Sequence, residues 1–247
     1  MLAARVTPGR VDFIDLHSHW IAGIDDGAKT VEAGLAMLRG LKAAGFATVV
    51  ATPHMRPGMF DNTRATLEEA YARMLPHLTD DCPTVHLSSE HWFDDVVFRR
   101  LVDGQALPYP GGRAALIEFN PDAIPLRIDA RLIDMRRGGL IPVIAHPERY
   151  RPVWEDDTCL DPMLDSGAVL LLDLCSIVGK YGRAAEKAAR KLLDEDAYEA
   201  ACTDVHRPED LAEVTRAIAK LEQIVGKEER ERLLSAGPRA ILAGTIA

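Results

Sequence analysis

The chain has 247 residues, of which 47% are hydrophobic, and a formal net charge of −9. These totals suit one soluble globular domain over residues 1–247, because no linker or shift in composition divides the sequence. An acidic chain without a dense lysine and arginine patch would repel phosphates, which argues against a nucleic-acid groove.

The chain has four cysteines: Cys82, Cys159, Cys175 and Cys202. None has the CxxC spacing of a zinc knuckle or a redox pair, so we expect reduced thiols. Residues 1–10 lack the long apolar core of a signal peptide, and no apolar run is long enough to span a bilayer. These features predict a cytoplasmic protein that does not insert directly into a membrane.

Short apolar runs alternate with amphipathic segments along the chain. The apolar runs predict seven strands, over residues 11–16, 47–52, 84–89, 114–117, 140–145, 168–174 and 198–203. The amphipathic segments predict helices between the cap Thr30 and Gly45, over residues 62 or 63 to 78, 94–103, 124–137, 160–165 and 182–194, around Leu211, Val214, Ile218 and Leu221, and over 227–235. This alternation predicts an α/β fold with a parallel sheet that closes into a TIM-like barrel.

The first predicted strand leads into a pair of histidines, His17 and His19. Their spacing of two places both imidazoles on one face of a strand, where they can bind one metal ion. Asp26 can add an oxygen ligand from the next loop. Alternatively, Asp26 caps the following helix while Asp25 binds the metal.

Further acidic and histidine residues stand at the ends of other predicted strands. They are His54, Glu90, Glu118, His146, Asp204 and His206. In a (β/α) barrel these strand ends gather on one face, so residues distant in sequence can meet there. Five imidazoles and four carboxylates exceed the needs of one tetrahedral zinc and suit two or three divalent ions. The mixture of nitrogen and oxygen ligands allows Mn, Fe, Co or Zn.

Several cationic side chains are candidates to bind a phosphoryl group. Arg149 can hold phosphoryl oxygens with paired hydrogen bonds, or it can form a salt bridge with Glu148 or a neighbouring acid. Arg56, which follows His54 closely, and Arg207 are weaker candidates for the same task. Lys180, in a loop after the sixth predicted strand, has no assigned role.

Two other phosphate chemistries are excluded by spacing. A cysteine-dependent tyrosine phosphatase needs an arginine six positions after its thiolate, and the four cysteines are followed there by Ser88, Asp165, Tyr181 and Pro208. No GxxxxGK[ST] loop of a P-loop ATPase is present. Three more histidines are predicted to be structural: His77, His86 and His91.

The segments HSH, GIDDGAKT, ATPH, HPERY and TDVH resemble the PHP (polymerase and histidinol phosphatase) superfamily, and within it the bacterial protein-tyrosine phosphatases of capsule and exopolysaccharide operons. The resemblance covers residues 15–206. It implies a distorted (β/α)7 barrel, up to three divalent ions, often manganese, and hydrolysis of phosphotyrosine on the tail of a bacterial tyrosine kinase of polysaccharide export. It implies Arg149 as a substrate-phosphate contact and nine metal ligands: His17, His19, Asp26, His54, Glu90, Glu118, His146, Asp204 and His206.

The chain departs from that family's pattern after the DxH pair. An arginine is usual a few residues downstream, where only Arg207 and Arg216 are imperfect substitutes. This departure bears on substrate specificity more than on the metal ligands.

We expect a metal-dependent phosphomonoesterase acting on phosphotyrosine, in which a site histidine, His54 or His206, or a metal-bound water protonates the leaving oxygen. One alternative is the same chemistry on a small ester, such as histidinol phosphate or a sugar phosphate. Another is an amidohydrolase-like C–N hydrolase, which also begins with HxH on a barrel strand. A third is a non-catalytic protein that binds a kinase tail. The sequence does not indicate the oligomeric state.

Overall fold

The computed structural model describes residues 12–246. Val11, where the first predicted strand begins, lies outside the described residues, as do residues 1–10, in which no signal-peptide core is predicted. Within the described part the strands are β1 (Phe13–Ser18), β2 (Phe46–Ala51), β3 (His54–Met55), β4 (Thr84–Leu87), β5 (Glu90–Trp92), β6 (Ala114–Glu118), β7 (Ile141–Ala145), β8 (Val169–Asp173) and β9 (Tyr198–Cys202).

The helices of the described part lie between and after these strands. They are α1 (Val31–Ala43), α2 (Arg64–Met74), α3 (Asp95–Val102), α4 (Ile128–Arg137), α5 (Arg151–Glu155), α6 (Asp161–Asp165), α7 (Arg183–Asp194), α8 (Leu211–Glu231) and α9 (Gly237–Ala243). None of these helices is long and apolar enough to cross a membrane. The sequence did not predict α5 or α9.

The strands pair in two parallel sheets, with the order β1-β2-β4 in one and β3-β5-β6-β7-β8-β9 in the other. Two predicted strands, 47–52 and 84–89, end early, at Ala51 and Leu87, and after an interruption of two residues the short strands β3 and β5 follow. Pro53 contributes to the first interruption because it has no backbone N–H to donate to a sheet. The interruptions place His54 and Glu90 as the first residues of new strands, in register with each other.

Backbone hydrogen bonds connect the two sheets at both junctions. Thr52 N donates to Ser18 O at 2.9 Å, and Glu90 N donates to Thr52 O at 3.3 Å. On the other side, Asp204 N donates to His17 O at 2.9 Å, and Ser18 forms a parallel bridge with Val205. The predicted α/β fold with parallel strands is confirmed, and its sheets meet in a distorted, TIM-like arrangement.

Alternate strand residues pack on opposite sides of the sheets. Leu170 and Leu172 of β8 join the large apolar cluster beneath the helices. Leu171 instead joins a smaller cluster with residues such as Leu16 and Val143. This alternation is the two-residue period of a strand that is buried on both faces.

Some predicted helix boundaries are wrong for local reasons. Helix α4 begins at Ile128 rather than residue 124, because Arg127 has a left-handed backbone, φ 58° and ψ 35°, that a right-handed helix does not accommodate. Gly226 has a non-helical backbone inside α8, so the helix predicted over 227–235 is the part of α8 beyond a kink, followed by a π-helical turn at Arg232–Ala236.

Candidate metal centre

The nine predicted metal ligands lie in the strands or in the segments that follow them. His17 lies in β1, His54 and Glu90 begin β3 and β5, Glu118 ends β6, and the others follow β1, β7 or β9. Their ligand atoms form four overlapping groups, and within each group the atoms lie within 4.8 Å of one another. The groups are His19, Asp26, His54 and His206; His17, His146 and Asp204; His17, His19 and Glu90; and His54, Glu90 and Glu118.

The Glu90 carboxylate lies between imidazoles from three strands. Its Oε1 atom is 3.0 Å from His146 Nε2 and 3.3 Å from His17 Nε2. Its Oε2 atom is 2.9 Å from His54 Nδ1. A carboxylate with both oxygens facing separate imidazoles can bridge two metal ions.

The Asp204 carboxylate has a similar position on the opposite side. Its Oδ1 atom is 3.1 Å from His17 Nε2 and 3.3 Å from His19 Nε2. Because His17 faces both Asp204 and Glu90, the groups share residues and form one continuous centre.

Several buried ligand atoms of the centre lack a hydrogen-bond partner among the described residues. They are His17 Nε2, His19 Nε2, His54 Nδ1, His146 Nδ1, Glu118 Oε2 and Asp204 Oδ1. Buried polar atoms are rarely left without a partner, because desolvating them is unfavourable. Imidazole nitrogens and carboxylate oxygens are the donors that divalent transition metals accept, so these residues fit a cluster of such ions.

Neighbouring polar groups orient the first histidine pair. His17 Nδ1 is 2.5 Å from Thr52 Oγ1, and His19 Nδ1 is 2.8 Å from Asp25 Oδ2. These contacts direct both Nε2 atoms towards Asp204 and Glu90. Metal-binding histidines commonly use their second nitrogen in this way.

The two aspartates of the first loop have different positions. Asp25 accepts hydrogen bonds from the backbone N–H groups of Gly27 at 2.9 Å and His54 at 3.1 Å, in addition to its contact with His19. Asp26 Oδ1 lies 3.3 Å from His54 Nε2 and 3.5 Å from His206 Nε2. Asp26 therefore belongs to the metal-capable residues, whereas Asp25 holds the imidazole of His19 in position. The cap of α1 is Thr30 rather than Asp26.

Burial and close charges act together on the acidic ligands. Burial opposes ionisation of Glu90, but His17 and His54 outweigh it and hold the pKa of that carboxyl well below its usual range. Burial, followed by repulsion from Glu90, raises the pKa of Glu118 to about 8. A divalent cation between these two carboxylates would offset their repulsion.

Two of the predicted ligands have a left-handed backbone. His146 has φ 36° and Asp204 has φ 44°, a region that residues other than glycine rarely adopt. Hydrogen bonds hold both in place, since His146 N donates to Leu171 O and Asp204 N donates to His17 O, each at 2.9 Å. Such a conformation costs about 1–3 kcal/mol and is typical of functional sites.

Arg149 contacts the metal-capable residues directly. Its Nη1 atom is 2.5 Å from Asp204 Oδ2 and 3.5 Å from Asp173 Oδ2, and its guanidinium carbon is 4.4 Å from the centre of the Tyr181 ring. No salt bridge to Glu148 forms among the described residues. The Glu148 carboxylate instead accepts hydrogen bonds from other groups: Asp173 N, Ser176 Oγ and Tyr198 Oη.

A cavity of about 310 Å³ opens beside Arg149 and the metal-capable residues. It is lined by Asp26, Arg149, Lys180, Tyr181, Asp204, His206, Arg207 and Asp210. Of the two arginines after the DxH pair, Arg207 thus lines this cavity. Arg216 lines a separate groove next to α7 and pairs with Glu213 on its own helix.

Sequence reasoning missed Asp173 and Tyr181. Asp173 is the last residue of β8 and is fully buried, so the strand-end rule that identified the other carboxylates applies to it as well. Tyr181 had no comparable signal, because it follows a loop rather than a strand.

The remaining histidines and Arg56 lie outside the four metal-capable groups. Both ring nitrogens of His91 have backbone partners, Leu116 O at 2.7 Å and Leu107 N at 3.2 Å. His77 is exposed, and His86 lies within β4. Arg56 packs its guanidinium carbon 3.5 Å from the centre of the Trp92 ring.

Comparison with known proteins assigns this geometry to a family. The family described as "Capsular polysaccharide synthesis, CpsB/CapC" matches residues 13–243. The tyrosine-protein phosphatase YwqE of Bacillus subtilis is 29% identical over 195 residues, covering 78% of this chain and 77% of YwqE. The tyrosine-protein phosphatase CpsB of Streptococcus pneumoniae is 26% identical over 241 residues, covering 93% of this chain and 98% of CpsB.

A solved structure agrees with these sequence matches. It belongs to work on YwqE from Bacillus subtilis and CpsB from Streptococcus pneumoniae, described as unique metal-dependent tyrosine phosphatases. It superposes with a TM-score of 0.85 at 27% identity, covering 94% of each chain.

Proposed function

The chain belongs to the CpsB/CapC family of capsular polysaccharide synthesis, and from that premise we propose that it is a metal-dependent phosphatase of phosphotyrosine in protein. The main support is the cluster of imidazole and carboxylate groups around Glu90 and Asp204, next to Arg149. Several buried nitrogen and oxygen atoms of this cluster have no hydrogen-bond partner among the described residues. The names of its relatives, which are tyrosine-protein phosphatases, support the same activity.

The nine residues of the four groups would hold two or three divalent ions, with manganese as the first choice. Glu90 would contribute to more than one ion site, because it belongs to two of the four groups, and Asp204 would contribute to one. Bound ions supply Lewis-acid activation of the phosphoryl group and of the attacking water.

Arg149 binds the phosphoryl group of the substrate. A guanidinium presents several N–H donors in one plane and retains its charge, so it can stabilise the charge on phosphoryl oxygens as the bond to tyrosine breaks. The carboxylate of Asp173 and the ring of Tyr181 hold the guanidinium of Arg149 in position. His54 or His206 gives a proton to the leaving tyrosine oxygen, whichever is not occupied in coordination.

The substrate we propose is the phosphorylated tail of a bacterial tyrosine kinase that controls polysaccharide export, in the cytoplasm. The family description, capsular polysaccharide synthesis, supports this context. An extended peptide segment could present one phosphotyrosine to the cavity beside Arg149, which is open to solvent through exposed residues such as Arg207.

The test compares substrates for the manganese-loaded protein. We expect phosphate release from a phosphotyrosine peptide, much slower release from histidinol phosphate, and loss of activity in Asp204→Asn. Asp122→Asn is the control, because Asp122 is exposed and, within residues 12–246, pairs only with Arg151. A preference for histidinol phosphate would retain the chemistry and overturn the substrate. If neither ester released phosphate, the phosphatase activity would be refuted, and hydrolysis of C–N bonds would be tested next.

A further inference from the structure

The cavity beside the metal centre carries three cations in a chain with a net charge of −9. Arg149 is one of them, and it is already engaged with Asp204 and Asp173. The other two, Lys180 and Arg207, come from the loops that follow β8 and β9. Neither forms an ion pair with a metal-capable residue within residues 12–246.

Of the three carboxylates that line the cavity, two do not pair with Lys180 or Arg207. Asp26 and Asp204 belong to the metal-capable groups, so divalent ions would neutralise them. Asp210 is the other lining carboxylate, and both of its oxygens are used. Its Oδ2 atom accepts from the backbone N–H groups of His206 at 3.1 Å and Arg207 at 3.2 Å.

Asp210 holds Lys180 at the wall of the cavity. Lys180 Nζ is 3.1 Å from Asp210 Oδ1, and its side chain retains 21% exposure. An ammonium group has three N–H donors, and this is its one ion pair in the described part of the chain. Lys180 is therefore positioned but still able to donate to a ligand in the cavity.

Arg207 adds a second available cation on the same wall. It is exposed, lines the cavity and forms no ion pair with any described residue. Its backbone N–H donates to Asp210 Oδ2 at 3.2 Å, and Lys180 pairs with the other oxygen of the same carboxylate. Two cations that line one cavity, with unused N–H donors and access to solvent, form an attractive site for an anion.

We propose that Lys180 and Arg207 form a subsite for a second anionic group of the substrate, next to the phosphotyrosine that reacts. This inference rests on the proposed function, because the cavity continues from Arg149 and the metal centre. The ligand is a carboxylate side chain or a second phosphorylated residue in the same peptide. The protein would then select phosphotyrosines by their acidic surroundings.

The experiment compares peptides of one sequence that differ beside the phosphotyrosine, which is flanked by Gln, by Glu or by a second phosphotyrosine. We expect the manganese-loaded wild type to show a higher kcat/KM for an acidic peptide than for the Gln peptide. The ratio of kcat/KM for the acidic peptide to kcat/KM for the Gln peptide should fall about fivefold in Lys180→Met. It should fall about tenfold in the double variant that also carries Arg207→Gln. Lys180→Arg should restore it, because the charge is retained.

Lys187→Met is the matched control, since Lys187 is an exposed lysine of α7 that does not line this cavity. It should leave the ratio at the wild-type value. If the Lys180 and Arg207 variants lose the preference for the Glu peptide, the ligand is a carboxylate. If they lose only the preference for the doubly phosphorylated peptide, the ligand is a phosphate. An equal rate on all three peptides in the wild type would overturn the subsite while leaving the phosphatase intact. No hydrolysis of any peptide would instead overturn the proposed function.

Discussion

At the scale of single residues, the phosphoryl-binding role that we propose for Arg149 follows from the position of its guanidinium group. Its Nη1 atom lies 2.5 Å from Asp204 Oδ2, at the border between the metal-capable residues and the cavity. We expect Arg149→Gln to lower kcat/KM for a phosphotyrosine peptide by about 100-fold, because a preorganised charge on the phosphoryl oxygens is lost. Arg149→Lys should not restore the rate, since a point charge cannot replace a planar set of donors.

The Arg149 variants should be compared with Arg151→Gln. Arg151 is exposed, and its one ion pair in the described part of the chain is with Asp122, so its loss should leave kcat/KM unchanged. The manganese content of each variant is measured beside its rate. A loss of less than threefold in Arg149→Gln at full manganese content would show that Arg149 does not contact the substrate.

A variant of Asp25 tests whether residues that only orient the predicted metal ligands affect metal binding. The Asp25 carboxylate accepts from His19 Nδ1, so Asp25→Asn weakens the orientation of that imidazole without removing a predicted ligand. We expect manganese affinity to fall by about 10- to 100-fold, the usual effect of removing such a partner. Calorimetric titration of manganese into stripped protein measures it. Asp134→Asn, at an exposed pair on α4, is the control, and an affinity equal to wild type in Asp25→Asn would refute the support role.

The proximity of the nine predicted ligands could be expected from the sequence, because parallel strands bring the segments after them to one face. The sequence could not separate the roles of Asp25 and Asp26. Both are adjacent acids in one loop, and only the folded loop shows that one reaches His19 while the other reaches His54 and His206.

At the scale of elements, the loop between β1 and α1 depends on a close approach at Gly27. A Cβ atom there would lie 2.1 Å from His19 O, which also accepts a hydrogen bond from Ala28 N. We expect Gly27→Ala to displace the loop that carries Asp25 and Asp26, lowering stability by about 1–3 kcal/mol and weakening manganese binding. Thermal unfolding and manganese titration measure the two effects.

Gly138→Ala is the matched control for Gly27→Ala. Gly138 ends α4 with φ −76°, and its nearest neighbour to an added Cβ would lie 3.3 Å away. This variant should unfold close to the wild-type temperature. If Gly27→Ala behaved in the same way, the loop would be more adaptable than its contacts indicate.

The interrupted strands mark the limit of prediction at this scale. A periodic apolar run shows that a strand exists, but β3 and β5 are two and three residues long and have no periodicity of their own. Their positions follow from tertiary contacts, such as the hydrogen bond from Ser89 Oγ to Pro53 O at 2.8 Å. The helix α9 was missed similarly, since its fit depends on Gly237 packing against Glu199 of β9.

At the scale of the whole molecule, His91 makes stability depend on pH. Burial is the main cause that lowers its pKa to about 4, and both ring nitrogens have backbone partners. The unfolded chain therefore binds a proton between pH 6.5 and about 4 while the folded chain does not. Stability is full above pH 6.5 and falls as pH decreases through this window, by about 3 kcal/mol from this group.

Urea unfolding of metal-stripped protein between pH 4.5 and 7 tests this dependence. We expect His91→Gln to be less stable at pH 7 but to lose less stability on acidification than wild type. His77→Gln, at an exposed histidine, should keep the wild-type slope. An unchanged slope in His91→Gln would assign the acid sensitivity to other groups.

We propose that the metal centre performs phosphotyrosine hydrolysis. The most direct measurement titrates manganese into chelator-stripped protein while recording bound manganese and phosphate release from a phosphotyrosine peptide. We expect no release from stripped protein and a rate that rises with bound manganese until two or three ions are held per chain. Full activity in stripped protein, or saturation with each divalent metal and no phosphate release, would contradict it.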